Sequence, residues 1–149
     1  MDLAALPPFT NEAYRDFSVP EHKNAQEAAL AEVKSQLGKE YPLSIAGKIH
    51  TTTDKIRSVN PSNPSEIVGI HQKATPDLAN QAIGAAVSFF PKWAATPAPD
   101  RARLLFRAVE ILKLRKSEFN AWLVYEAGKA WNEAEAETAE AIDFCDYYA

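Results

Sequence analysis

The side-chain period of this chain changes twice along its length, and that change limits its fold more than any other feature. Between Tyr41 and Lys73, Leu43 and Ile45 alternate with polar residues, as do Val68 and Ile70, and Ile49, Ile56, Val59 and Ile67 add β-branched side chains. On either side of that stretch, apolar residues recur every three to four positions. Period two buries one face of a strand, and period 3.6 buries one stripe of a helix. The pattern predicts an α+β segment, mostly helical, with a short antiparallel strand and hairpin region set between helices.

Local signals place the elements. Residues 1–20 contain prolines and no period, and read as an arm over the surface. Ser18 and Glu21 have capping-box spacing, although Pro20 biases Val19 away from helix. A helix over residues 21–37 follows, with Ala29, Leu30, Val33 and Leu37 on one face and Gly38 as its stop. The turn clusters Thr51-Thr52-Thr53-Asp54 and Asn60-Pro61-Ser62-Asn63-Pro64-Ser65 divide the next region into strands near 43–50, 55–59 and 66–73. Thr75-Pro76-Asp77 supplies a hydroxyl cap, a proline at the first helical position and an acid in the first turn. The helix it opens is expected over 76–90, with Ala79, Ala82, Ile83, Ala86, Val87 and Phe90 in period and Pro91 as terminator. Thr96-Pro97-Ala98-Pro99-Asp100 reads as a rigid connector. Residues 100–127 read as helical, with Leu105, Ala108, Val109 and Leu112 on one face, a bend near Lys116 and Gly128 as the closing residue. A last helix, 130–149, puts Trp131, Ala134, Thr138, Ile142, Cys145 and Tyr148 on one side. Phe89, Phe90, Trp93, Trp122, Tyr125 and Trp131 are expected in the core. Residues 21–149 then form one unit. No Gly, Asn or Pro stop follows the last helix, a pattern expected of a piece of a longer protein.

Composition removes several function classes. A net charge of −4 argues against nucleic acid as a partner, because phosphate binding needs a basic face. No apolar run approaches the roughly 18–20 residues of a membrane span, so no membrane partner is expected. The N-terminus has neither the charged and apolar regions of a signal peptide nor the Arg-rich character of a transit peptide. A single cysteine cannot form an internal disulfide, and a reducing, cytoplasmic setting fits.

Five glycines, at 38, 47, 69, 84 and 128, lie no closer than nine positions apart, so neither the dinucleotide fingerprint nor a P-loop is present. His22, His50 and His71 are far apart, and no Cys/His spacing resembles a metal site. Cys145 falls on the apolar side of the last helix, where burial makes a thiol inert. Glu133, Glu135, Glu137, Glu140 and Asp143 crowd that helix and read as a solvated acidic face. Glu140 becomes interesting if something packs against it, since a partly desolvated carboxylate can pair with a substrate ammonium.

The pieces, in order, resemble the start of an aldehyde dehydrogenase. Leu43-Ser44-Ile45-Ala46-Gly47-Lys48 is similar to that family's first strand and turn, and Val59-Asn60-Pro61-Ser62-Asn63-Pro64-Ser65-Glu66-Ile67-Val68-Gly69 to its "NP…GEVI" hairpin. Phe90-Pro91-Lys92-Trp93-Ala94-Ala95-Thr96-Pro97, then Asp100-Arg101-Ala102-Arg103-Leu104-Leu105, resembles "F..W…P...R..LL", and Glu126-Ala127-Gly128-Lys129 resembles "E.GK". Within the family, the branch of the Δ1-pyrroline-5-carboxylate (L-glutamate γ-semialdehyde) dehydrogenases fits. Its likeness rests on Phe9-Thr10-Asn11-Glu12, the helix to Leu37, Tyr41-Pro42-Leu43, Leu123-Val124-Tyr125-Glu126 and Ala139-Glu140-Ala141-Ile142-Asp143-Phe144.

The resemblance implies the first part of an α/β NAD-binding domain and the first third or less of an enzyme. That enzyme oxidises a small-molecule aldehyde with NAD, by thiolate attack, hydride transfer and thioester hydrolysis, in proline catabolism. It also implies a homo-oligomer when complete. The nucleophilic Cys, general-base Glu, oxyanion Asn and NAD contacts are implied to lie after Ala149. Within this chain it implies no catalytic, cofactor-binding or metal residue, and Cys145 does not match the catalytic position. Glu140 matches a Glu near the substrate's amino end. Three alternatives stand beside this reading: another aldehyde dehydrogenase branch, a stand-alone helical interaction domain without catalysis, and a fusion with a proline dehydrogenase.

Overall fold

A computed structural model describes residues 8–149. The chain divides into two units, one formed by the stretch up to Ser35 together with Pro97–Ala149, the other by Gln36–Thr96.

Among the described residues the first unit is an irregular arm over 8–19 followed by four helices: α1 (Pro20–Lys34), α3 (Ala98–Leu114), α4 (Lys116–Ala127) and α5 (Trp131–Tyr147), with α2 (Pro76–Ala94) in the other unit. α4 packs on α1 and α5, and α5 packs on α3. Its core contains Val33, Ala102, Phe106, Val109, Ala121, Ala134, Ala139 and Ile142. Four of these are alanines, which let helix backbones approach closely.

Helix ends partly follow their local signals. Val19, not Ser18, is the N-cap of α1 and has no side-chain cap bond. Ser18 instead donates its N–H to the Asp16 carboxylate at 2.8 Å. α1 stops at Lys34, three residues before the expected end, and Gly38 takes its positive φ of 76° in the following turn. Residues 100–127 are broken as expected, by Arg115, whose φ of −104° and ψ of 19° leave the helical region. Gly128 closes α4 with φ 66° and donates to the Val124 carbonyl at 3.1 Å.

The second unit holds β1 (Lys39–Tyr41), β2 (Leu43–Ile45), β3 (Lys48–His50), β4 (Lys55–Asn60), β5 (Asn63–Gln72) and α2. The sheet order is β1-β5-β4, and β2 and β3 form a separate hairpin. The expectation of three antiparallel strands needs correcting in two respects. The stretch 43–50 is a hairpin rather than one strand, and β1 pairs parallel with β5, Lys39 opposite Gly69 and Tyr41 opposite His71. Residues 61–62 alone make the β4–β5 turn, so Asn63 and Pro64 already belong to the sheet. One polar cluster ties the three strands together. Lys55 Nζ reaches Glu40 Oε1 and Gln72 Oε1, each at 2.5 Å, and Gln72 Nε2 donates to Glu40 at 2.7 Å. The Lys55 ammonium and the Gln72 amide hold the Glu40 carboxyl below its ordinary range.

α2 begins as expected, with Thr75 Oγ1 accepting from Leu78 N at 3.3 Å. It does not end at Phe90. Pro91 lies inside it, and the last turn closes through Ala95 N to the Pro91 carbonyl. No α2 residue is buried, and Phe89, Phe90 and Trp93 are exposed where core positions were expected. Periodicity marks a face that favours burial without saying what covers it.

The β2–β3 hairpin turns on Ala46 and Gly47, with φ of 50° and 78°. A two-residue turn with both φ values positive is the type I′ pattern that favours Asn-Gly. A left-handed residue with a Cβ costs about 1–2 kcal/mol. Ala46→Asn should therefore stabilise the protein by about 0.5–1 kcal/mol, whereas β-branched Ala46→Val should destabilise it. Urea unfolding midpoints of the two variants check this, and equal midpoints would show that the turn carries no strain.

Candidate functional site

α5 carries most of the chain's unusual chemistry. Its charged residues are all acids, and each of the five singled out from the sequence can now be placed. Glu133 Oε2 accepts the Ala130 N–H at 3.2 Å, half of a capping box whose N-cap has no side-chain oxygen to reciprocate. Glu137 pairs with Lys129 at 2.5 Å, and this contact raises the Lys129 ammonium above its ordinary range. Asp143 accepts the Asn11 amide and the Glu12 N–H, both at 2.7 Å.

Glu135 is the largest departure from the solvated face expected of these acids. It is about 1% exposed, against the equally buried Lys116 at 2.5 Å. Its two oxygens also accept Arg15 N at 2.9 Å and Asn120 Nδ2 at 2.7 Å. The Lys116 ammonium spends its other protons on Glu12 Oε1 at 3.2 Å and the Ala13 carbonyl at 2.9 Å. Burial pushes the Glu135 carboxyl up, but the Lys116, Arg15 and Asn120 bonds together outweigh it and hold the group below its ordinary range. Sequence reasoning missed this cluster. Lys116 sits between Arg115 and Ser117 in a stretch that reads as surface, and its partners are 19 and about 100 positions away.

Glu140 is the exception among the five. It is exposed, and among the described residues its carboxylate makes no hydrogen bond or ion pair, while capping, pairing or tethering occupies the other four. The exposed ring of Phe144 is one turn beyond it. Cys145 is half-buried on the same helix. On an adjacent face, α3, α4 and α5 enclose an apolar cleft of about 430 Å³, lined in part by Leu112, Phe119, Trp122, Thr138 and Ala141. Among the described residues no three groups are arranged to hold a metal, and no helix is long and apolar enough to cross a membrane.

Taken unit by unit, the chain offers four packed helices and, separately, a small mixed sheet with one helix, and among the described residues Glu140 alone of the five singled-out acids has no partner. The comparisons give the family. Residues 49–149 match the aldehyde dehydrogenase family, and the chain belongs to it. It is 49% identical over 142 residues to a 1-pyrroline-5-carboxylate dehydrogenase of Oceanobacillus iheyensis, covering 95% of this chain and 28% of that one. A protein of the same name from Geobacillus thermodenitrificans is 50% identical over 141 residues, covering 95% and 27%. Among solved structures, a Thermus 1-pyrroline-5-carboxylate dehydrogenase with bound NAD superposes with a TM-score of 0.92 at 44% identity, over 97% of this chain and 28% of that one. The chain thus spans a little over a quarter of the length of these relatives.

Proposed function

We propose that this chain is the N-terminal part of an NAD-dependent dehydrogenase that oxidises L-glutamate γ-semialdehyde, the open form of Δ1-pyrroline-5-carboxylate, to L-glutamate in proline catabolism. The observation that carries the reading is near-50% identity over 95% of the chain to proteins of that name. In the complete enzyme the partner is a small-molecule aldehyde, a homo-oligomer is the assembly the family resemblance implies, and a cytoplasmic setting fits the single cysteine. The exposed apolar face of α2 is then surface for the rest of the enzyme to cover.

This reading gives the described residues no nucleotide contact. Their glycines are spread singly, and no backbone cradle for a pyrophosphate results. The family resemblance supports NAD, the cofactor bound in the Thermus relative, being held in the proposed enzyme by residues outside this chain, and the nucleophile likewise.

Glu140 is this chain's contribution to substrate recognition. An exposed carboxylate that bonds nothing among the described residues can receive the ammonium of an amino-acid aldehyde once other parts of the enzyme close over it. A charge-assisted bond of about 1.5–3 kcal/mol corresponds to roughly 10- to 100-fold in binding. In the complete enzyme, Glu140→Ala is expected to raise KM for glutamate semialdehyde by about that factor and leave KM for an unsubstituted aliphatic aldehyde unchanged. Steady-state kinetics on both substrates check this, and equal changes in both would assign Glu140 a structural role.

A further inference from the structure

The described part of the arm, residues 8–19, has no regular secondary structure, yet it is bonded along nearly the whole of α5. Phe9 packs edge-on against Tyr147 at 5.3 Å, and Phe17 against Trp131 at 5.5 Å. Between these ends, Asn11 and Glu12 bond Asp143, and Arg15 N bonds Glu135. Arm and helix run in opposite directions, and their lengths match. Eight arm residues extended at about 3.3 Å each span about 26 Å. The helix from Trp131 to Tyr147 rises about 24 Å at 1.5 Å per residue. The pairing is in register from end to end.

The grip is polar and partly buried. Lys116 holds the arm at Glu12 and Ala13 and holds α5 at Glu135, so one ammonium locks both together. Buried charges of this kind fix register better than an apolar seam, which tolerates sliding. Glu140 lies inside the gripped stretch, five residues after Glu135 and three before Asp143.

We propose that the arm is a positioning strap: it clamps α5 at Glu135 and Asp143 and thereby sets where the Glu140 carboxylate stands. This rests on the reading of Glu140 as a substrate contact. The strap residues touch no substrate and act through Glu140. The task is one of placement, for which displacement by a fraction of an ångström is costly.

The test is made in the complete enzyme, with Asp143→Ala, Asp143→Asn, Glu140→Ala and the Glu140→Ala/Asp143→Ala pair. Asp143→Ala removes both arm bonds, while Asp143→Asn keeps an oxygen for the Glu12 N–H. Asp143→Ala is expected to raise KM for glutamate semialdehyde about tenfold with kcat nearly unchanged. It should leave an unsubstituted aldehyde unaffected, recover in Asp143→Asn, and add nothing to Glu140→Ala. A merely structural role lowers kcat for both substrates alike and spares the KM ratio, which would overturn the strap. If Glu140→Ala raises KM and Asp143→Ala does not, the strap alone falls. If Glu140→Ala itself has no selective effect, the substrate reading falls and takes the strap with it.

Discussion

Replacing Lys116 with methionine is expected to cost about 3–5 kcal/mol of folding stability. The ammonium is buried with Glu135 at 2.5 Å, and its removal leaves a carboxylate in the protein interior with only neutral donors, Arg15 N and Asn120 Nδ2. A charge taken from water is tolerated only while its partner remains. Lys113→Met is the control. Lys113 also reaches Glu12, at 3.3 Å, but is half-exposed, so its loss should cost no more than about 1 kcal/mol. Urea unfolding at neutral pH separates the two, and equal losses would mean that the buried pair is compensated from elsewhere. Replacing both partners, Lys116→Met with Glu135→Leu, should recover most of the stability.

The pH dependence follows from the same geometry. Glu135 has a folded pKa below its unfolded one, so its contribution is complete above the unfolded carboxylate range, near 4.3, and is lost as pH falls through the folded value. In Lys116→Met, desolvation with fewer partners reverses the order and raises the folded pKa. That variant therefore gains relative stability as its carboxylate protonates. The gap between the two proteins should narrow on acidification, and a gap independent of pH would exclude Glu135 as its source.

The 149-residue chain by itself is expected to reduce no NAD when given glutamate semialdehyde. Covalent oxidation of an aldehyde needs an activated thiolate, donors for the developing oxyanion and a positioned cofactor. The only thiol, Cys145, is half-buried on a helix that carries no His, Lys or Arg to serve as its base. Among the histidines, the His22 ring nitrogen contacts the Asp16 carbonyl at 3.1 Å, and His71 stacks on Tyr41. Absorbance of reduced NAD over a protein-free blank measures the effect. Turnover by purified chain, with full-length enzyme excluded, would place a catalytic centre within these residues.

Much of the architecture is local and therefore readable. The break before Lys116, the closing Gly128 and the Thr75 cap each depend on residues within a few positions. Elsewhere a competing local arrangement prevailed, or a distant contact was needed. Pro91 was absorbed into the last turn of α2 because the bonds after it could still form. Ser18 lies one residue before the N-cap, Val19, and its own N–H goes to the Asp16 carboxylate. Glu140 attracts notice by family likeness, but its standing, among the described residues, as the one acid of the five without a partner depended on seeing what the other four bond.

By itself the sequence determined the order of the helices, the place of the strand region among them, the helical and alternating faces, and membership of a family. These follow from backbone stereochemistry and side-chain period, which act over a few residues. Only the tertiary structure decided that β1 runs parallel to β5, that Lys116 and Glu135 are inside while Phe89 and Phe90 are not, and that the arm lies along α5 in register. Each of these depends on groups tens to more than a hundred positions apart. Burial and charge pairing are set by what the fold brings together, and no local period records that.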